Sequence, residues 1–306
     1  DFMGHKRVHE SAAVWTIYHA IDSETANPFQ AYQATRYVDT AIPHIPVTAH
    51  GLKENGYATI ATTNWLPYSW SINNVAFAEV MHTALSYFQA GRADAGYKLL
   101  KSSVLDGMYL GDSPGNFGQI SFYDAARGEC YRDFGDPIGV ASRVLIQGLF
   151  GILPDALNKQ IILRPGFPAD WDKASVSTPD ISYRFTRKED TDTYHITQRF
   201  QTPLHPVLQI NARKEKIRSV KVNDVPATWQ SIESAHGYPL LSIQAEGTSS
   251  TTITIEWEGA PLHTLAAQEL VIASNGKLAL QIPSGASISQ VYDPQSVLAK
   301  HTMGAT

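Results

Sequence analysis

The chain has 306 residues and 33.6 kDa, with 43% apolar and 17% charged residues. That is the length of two ordinary domains and the balance of a globular protein, which excludes a disordered or coiled-coil chain. A net charge of -5 with scattered basic residues argues against nucleic acid or an anionic membrane as the main partner, and no apolar run approaches the roughly 18 residues of a membrane span.

The chain opens Asp1-Phe2-Met3-Gly4-His5, without an initiator methionine or a signal-peptide pattern, as a processed product or an excerpt of a longer gene product would. The missing leader carries no information about export. Residues 7–37 read mostly as helix. Ala13, Val14, Ile17, Tyr18 and Ile21 share one face, Phe29, Tyr32, Ala34 and Tyr37 another, and Asn27-Pro28 is a helix start between them. Pro43, Pro46 and Gly51 mark 39–56 as a loop. Phe77, Val80, Met81, Ala84, Leu85 and Phe88 then define a helix; after Gly91-Arg92, Tyr97, Leu100, Val104, Leu105 and Met108 define a second. So short a link forces the pair antiparallel, and the chain entering the first helix meets the chain leaving the second at one end. That end gathers 57–71 and 111–137, and the up-and-down alternation also brings the 39–56 loop, Arg7 and Glu10 there. A third helix, about Ile138 to Phe150, starts from the same end and stops at Gly151 and Pro154.

Beyond Gly151 the period changes. Ile161-Ile162-Leu163 is a short strand before a turn-rich 164–171. Residues 181–185, 194–197, 207–210, 217–222, 240–243 and 252–257 are strands, several of them alternating with period two, and 188–192 and Asn223-Asp224 suit hairpin turns. So many strands with little helix between them predict an antiparallel β-sandwich. Residues 269–272 and 277–282 add strands to it or begin a further segment. The expected domains are 1–160, 161–263 and 264–306. About five helices with strongly apolar faces are too few for a closed helical barrel, so another chain or an N-terminal portion of the same protein must cover them.

Two segments carry the chemistry. In Asn64-Trp65-Leu66-Pro67-Tyr68-Ser69-Trp70-Ser71-Ile72-Asn73-Asn74 three aromatic rings alternate with amides and hydroxyls. Sugar rings need such surroundings, a flat apolar face to stack on and partners for buried hydroxyls; the alternative is that Trp65 and Trp70 anchor a core and Ser71 or Asn73 caps a helix. The second segment runs from Gly111 through Asn116 to Asp124, Arg127, Glu129, Cys130, Arg132, Asp133 and Asp136. Its glycines lack the lysine-serine ending of a phosphate cradle. Its interspersed carboxylates and arginines form either a solvated ion-pair network or a general acid and base flanking a glycosidic bond, with the arginines clamping an acidic sugar or holding carboxylates ionised. Asp136 is either the cap of the helix that follows or a base whose charge that helix end favours. Lone Cys130 excludes a disulfide framework and reads as inert. His5, His9, His19, His44, His50 and His82 are dispersed, without a metal-ligand spacing, and no G-x-S-x-G element supports a serine hydrolase.

Trp65 to Asn74, Tyr131-Arg132-Asp133-Phe134, Gly148-Leu149-Phe150-Gly151-Ile152-Leu153-Pro154-Asp155 and Leu163-Arg164-Pro165-Gly166-Phe167-Pro168-Ala169-Asp170-Trp171 together resemble a known group. They are similar to the C-terminal part of six-hairpin, (α/α)6-barrel glycosidases and the related disaccharide phosphorylases, with the nearest likeness to a branch found in polysaccharide-degrading gut bacteria. The likeness covers about Arg7 to Trp257 and is more specific for architecture than for substrate. It implies the closing helices of a barrel followed by a β-sandwich, and contact with an N-terminal half that is not in this sequence. It also implies a carbohydrate substrate and a periplasmic or secreted location; no cofactor is expected, nor, from the dispersed histidines, a metal. By the same resemblance one catalytic carboxylate is Asp133, with Glu129 and Asp136 behind it, and the acid is Asp39, Glu10 or a residue outside this sequence. Trp65, Tyr68, Trp70, Asn73, Asn116, Arg127, Arg132 and Glu10 would line the sugar site. Inverting hydrolysis is the expected chemistry, with about 6.5–9.5 Å between the two carboxyl groups. The alternatives are a non-catalytic carbohydrate-binding or structural module, and a phosphorylase using Arg127 and Arg132 on phosphate.

Overall fold

The computed structural model describes residues 14–62, 75–110, 135–232 and 237–262, the backbone of 74, 122–124 and 129–131, and, toward the C-terminus, 273–277, 288, 291, 293 and 298. The architecture is mixed α/β with several sheets. One compact unit spans 1–264 and a second 265–306.

The first unit begins with α1 (Val14–Asp22) and α2 (Pro28–Ala41). Asn27 starts α2 by a reciprocal cap: Gln30 N–H donates to Asn27 Oδ1 at 2.9 Å, and Asn27 N–H donates to Gln30 Oε1 at 3.0 Å. The expected loop at 39–56 contains a strand, β1 (His44–Pro46), paired antiparallel with β2 (Ala58–Ile60). Three residues flanked by prolines are too few to show a period in the sequence. Next come β3 (Asn74–Ala76), α3 (Phe77–Gln89) and α4 (Ala93–Val104), which continues as a π-helical turn, Leu105–Leu110. The α3–α4 turn uses Gly91 at φ +74°, and Gly96 lets α4 approach the Phe88 ring, since a Cβ there would lie 3.1 Å from it. β4 (Phe122–Asp124), β5 (Glu129–Tyr131), α5 (Asp136–Arg143) and a second π-helical turn, Val144–Leu149, complete the helical layer.

α3 is the centre of that layer, with ten of its thirteen residues buried. Its contacts with α1 rise together along both helices, Tyr18 stacking on His82 at 4.8 Å and Asp22 bonding Gln89, so α1 and α3 run parallel. α5 runs the same way, Arg143 lying beside His82 and Gly148 beside Leu85 and Phe88. The five described α-helices are fewer than a closed six-hairpin barrel requires.

The sheets follow without a linker. β6 (Ile152–Asp155), β7 (Gln160–Leu163), β11 (His205–Asn211), β14 (Gln230–Ile232) and β15 (Leu240–Gln244) form one sheet in the order β14-β15-β11-β7-β6. β8 (Lys173–Ser177), β9 (Ile181–Lys188), β10 (Thr191–Gln198), β12 (Lys214–Val222), β13 (Val225–Pro226) and β16 (Ser250–Pro261) form the other, in the order β13-β12-β16-β10-β9-β8. The expectation of an antiparallel sandwich needs one correction: β7 and β11 are parallel, because the whole β8–β10 excursion into the second sheet lies between them. The β9–β10 turn places Glu189 at φ +51°, and the β12–β13 turn places Asn223 and Asp224 at +50° and +64°, the left-handed pair of a two-residue hairpin. Between the sheets pack Tyr183, Phe185, Ile196, Leu208, Ile243 and Trp257. Asp192 is buried among them at 1% exposure, held by Arg187 Nε at 2.8 Å and Trp257 Nε1 at 3.0 Å.

Helices and sheets share aromatic residues. Phe150 and Phe167 pack against both cores and meet edge to face at 5.4 Å, Phe167 stacks on Phe185 at 5.2 Å, and Trp171 meets Tyr97 of α4 at 5.1 Å. Gly151 sits at the crossing with φ +65°, where a Cβ would lie 1.9 Å from the Arg164 carbonyl oxygen; its own carbonyl accepts from Arg164 N–H at 2.8 Å. In the second unit Gly276 N–H bonds Ala273 O and Leu298 N–H bonds Asp293 Oδ2, both at 2.8 Å.

Candidate functional site

The start of α3 is where the chain brings its polar segments together. β3 leads straight into α3 and pairs with β4, which pairs with β5, so Asn74, Asp124 and Glu129 occupy one rung of a three-stranded sheet. The antiparallel α3–α4 pair predicts this convergence, and α5 begins a few residues after β5.

On an otherwise largely apolar helix, α3 carries Glu79, His82, Ser86 and Gln89 at spacings of three, four and three, a stripe facing α1 and α5. Glu79 lies in the first turn. Burial raises its pKa to about 7, the charge of Asp136 adds to the rise, and the nearby donor side chains of Trp15 and Thr62 oppose it. Its Oε2 is buried and has no hydrogen-bond partner among the described residues. The Thr62 hydroxyl oxygen accepts from Ala76 N–H at 3.1 Å, just ahead of α3, which leaves its own proton for Glu79.

One turn along, His82 Nε2 lies 3.1 Å from Arg143 Nη1. A guanidinium only donates, so the imidazole accepts there and carries its proton on Nδ1. Burial first, and Arg143 second, lower the His82 pKa and keep the ring neutral. Arg143 also grips Asp22 with both terminal nitrogens, at 2.8 and 2.6 Å, and Gln89 Nε2 adds a bond of 3.0 Å. Burial would raise the Asp22 pKa, but these donors outweigh it and hold the carboxyl below its ordinary range. The Arg143–Asp22 fork clamps α5 to α1. Two turns nearer its start, α5 presents Asp136, exposed, where its charge acts on Glu79. The result is one enclosed carboxyl that holds a proton near neutrality beside a solvated one.

The residues expected from sequence fall in three groups. Asp136 belongs to this end, and Glu129 reaches it through the backbone of β5. Asp39 sits in a separate cluster whose donors occupy both its oxygens: Tyr87 Oη at 2.5 Å, Arg92 Nη2 at 2.5 Å and Arg36 Nη1 at 2.8 Å, with the Arg92 guanidinium over the Tyr87 ring at 4.8 Å. That bonding is what a structural carboxylate has. Glu10, Trp65, Tyr68, Trp70, Asn73, Asn116, Arg127, Arg132 and Asp133 lie outside the described residues. Glu79, His82, Trp15, Asp22 and Arg143 were not expected. The one signal that identifies them is the polar stripe within α3, whose only carboxylate is Glu79.

Among the described residues no group of three or more histidine, cysteine or carboxylate side chains could hold a metal ion, and no helix is long and apolar enough to cross a membrane. No family model matches the chain, and no curated protein is significantly similar to it. Among solved structures it is similar to an α-L-rhamnosidase from Dictyoglumus thermophilum, at 12% identity and a TM-score of 0.37, over 59% of this chain and 21% of that one. It is also similar to a Streptomyces avermitilis α-L-rhamnosidase complexed with L-rhamnose, at 12% identity and a TM-score of 0.31, over 79% of this chain and 32% of that one. The chain thus spans between a fifth and a third of the length of these enzymes. Likeness at this level is distant and partial and defines no activity.

Proposed function

We propose that this chain supplies the closing helices and the following sandwich of a six-hairpin, (α/α)6-barrel glycoside hydrolase acting on an oligo- or polysaccharide by an inverting acid/base mechanism. The observation that carries the reading is the unequal pair at the start of α3 and α5: Glu79, enclosed and protonated up to about pH 7, beside exposed Asp136. Glycoside hydrolysis needs two carboxyl groups in opposite protonation states, and opposite environments are how one site holds both. Glu79 gives the proton on Oε2, its oxygen without a partner among the described residues, to the departing glycosidic oxygen. A carboxylate of 129–136, from among Asp136, Asp133 and Glu129, takes a proton from the water that attacks the anomeric carbon on the opposite face. The glycosidic bond breaks as the new carbon–oxygen bond forms, and the sugar leaves inverted. The rings of Trp65, Tyr68 and Trp70, with Asn73, Asn116, Arg127, Arg132 and Glu10, would bind the substrate, and a periplasmic or secreted location goes with this reading. Asp39, with both oxygens already bonded, is assigned to structure.

The test is reducing-end release by the full-length protein from a panel of plant and host glycans, with product configuration read by NMR. Glu79→Gln is expected to lower turnover by about 10²-fold or more, and at least one of Asp133→Asn, Asp136→Asn and Glu129→Gln to do the same. Activity should be present below about pH 7 and fall above it, as Glu79 loses its proton. Unchanged turnover in Glu79→Gln ends the assignment, and product that forms only with inorganic phosphate replaces hydrolysis by phosphorolysis.

A further inference from the structure

The sandwich holds a feature that the proposed reaction does not use. At one end of the five-stranded sheet an open cleft of about 470 Å3 is lined by Asn158, Gln160, His205, Asn223, Gln244 and Glu246, with valines, Pro226 and alanines as its apolar part. The strand register accounts for the arrangement. His205 pairs with Gln160 across β7–β11, and the β11–β15 pairing of Val207 with Gln244 extends to His205 beside Glu246. Gln160, His205 and Glu246 therefore form one row across three strands, and Val207 and Gln244 lie in the next row on the same face. By strand alternation that face is opposite the one carrying Ile161, Leu208 and Ile243 into the core. The β12–β13 turn walls the cleft through Asn223 and Val225.

What these groups are free to do selects the ligand. Gln160 and Gln244 make no side-chain hydrogen bond among the described residues, and Asn223 spends only Oδ1, on Thr252 N–H at 2.8 Å. His205 Nδ1 accepts from Gly247 N–H at 3.1 Å, so its proton sits on Nε2 and is available to donate. The cleft thus offers amide donors, an imidazole donor, amide acceptors and the Glu246 carboxylate, all without a lysine or arginine in its lining. Among the described residues an anion would meet Glu246 with no lysine or arginine in the lining to offset it, His205 lying 3.6 Å from that carboxylate. An extended peptide finds little free backbone, because β7 and β11 are each paired on both sides and β14 covers β15 over Leu240–Ser242. A ligand whose hydroxyls donate and accept alike, and whose C–H faces suit Val207, Val225 and Pro226, meets both kinds of surface. Val225, at 65% exposure, is an apolar residue of the cleft's rim.

We infer that this cleft is a second saccharide-binding site, specific for a neutral sugar and separate from the carboxyl groups of α3 and α5. It anchors glycan without turning it over and does not depend on the proposed hydrolysis. The test is native affinity electrophoresis of the full chain in gels containing galactomannan, xyloglucan, arabinoxylan, dextran or polygalacturonate. Retardation is expected in at least one neutral gel. Gln244→Ala with Glu246→Ala, both exposed and so tolerated by the fold, should weaken it at least tenfold without moving the melting temperature, and Gln160→Ala should weaken it independently. Glu79→Gln should lose turnover and keep retardation, which separates failure of this site from failure of the reaction. No retardation in any neutral gel, retardation that survives both cleft variants, or retardation by polygalacturonate alone overturns the inference.

Discussion

Two carboxyl groups with buried oxygens, one in each half of the first unit, are treated in opposite ways. Asp192 in the sandwich is met by two nitrogens of Arg187, at 2.8 and 3.3 Å, and by the Trp257 indole at 3.0 Å. Glu79 in the helical layer leaves Oε2 without a partner among the described residues, and is pushed toward its neutral form by burial and by a second carboxylate. A charge enclosed with its counter-charge is a structural element. A carboxyl enclosed beside another carboxyl is a destabilised group that the fold holds in place, and such groups cluster where chemistry is done. Within one chain the contrast separates the scaffold from the candidate site.

The comparison breaks first at Asp192. Asp192→Ala leaves the Arg187 charge half-enclosed and the indole N–H unpaired, and should cost about 3–5 kcal/mol in urea unfolding at neutral pH. A loss below about 1 kcal/mol would mean that the ion pair is idle. Glu79 should behave in the opposite sense. Its folded pKa lies above the unfolded value, so its contribution to stability is complete below about pH 4.5 and is lost as pH rises through about 7. Glu79→Gln removes that loss: relative to the wild type, the variant should gain stability between pH 5 and pH 8, by up to about 3 kcal/mol. A difference between the two proteins that does not change over this range removes the basis of the contrast. The smallest effect is a control within the helical layer. Asn27→Ala deletes the α2 cap and should cost about 1 kcal/mol equally at both pH values, because no titrating group is involved.

Much of the scaffold is legible in the sequence because it follows long, regular patterns. The apolar face of α3, the Asn27-Pro28 start of α2 and the alternation in β9, β10 and β16 each extend over enough residues to display a period. The strands β1, β3, β4 and β5 have three residues each and show none. The parallel β7–β11 pair is hidden because register between distant strands is not a local property. The π-helical turns at 105–110 and 144–149 continue α4 and α5 directly with an ordinary helical mix of apolar residues, glycine and single polar residues, so composition gives no sign of the change in winding. The convergence at the start of α3 follows from a short turn and needs no side-chain information. Glu79 does, since its character comes from what α1 and α5 place around it rather than from its own helix.

The crossing at Gly151 bears on how such a chain can be exchanged by recombination. β6 and β7 follow the last helix directly, yet supply two of the five strands of a sheet whose other members begin at His205. Phe167 and Trp171, further along the same stretch, seal the helical core. A breakpoint between residues 160 and 161 would cut through β7 itself, and one after Trp171 would separate β6 and β7 from the rest of their sheet. An exchange of either portion alone should therefore fail to fold, because 151–171 packs into both.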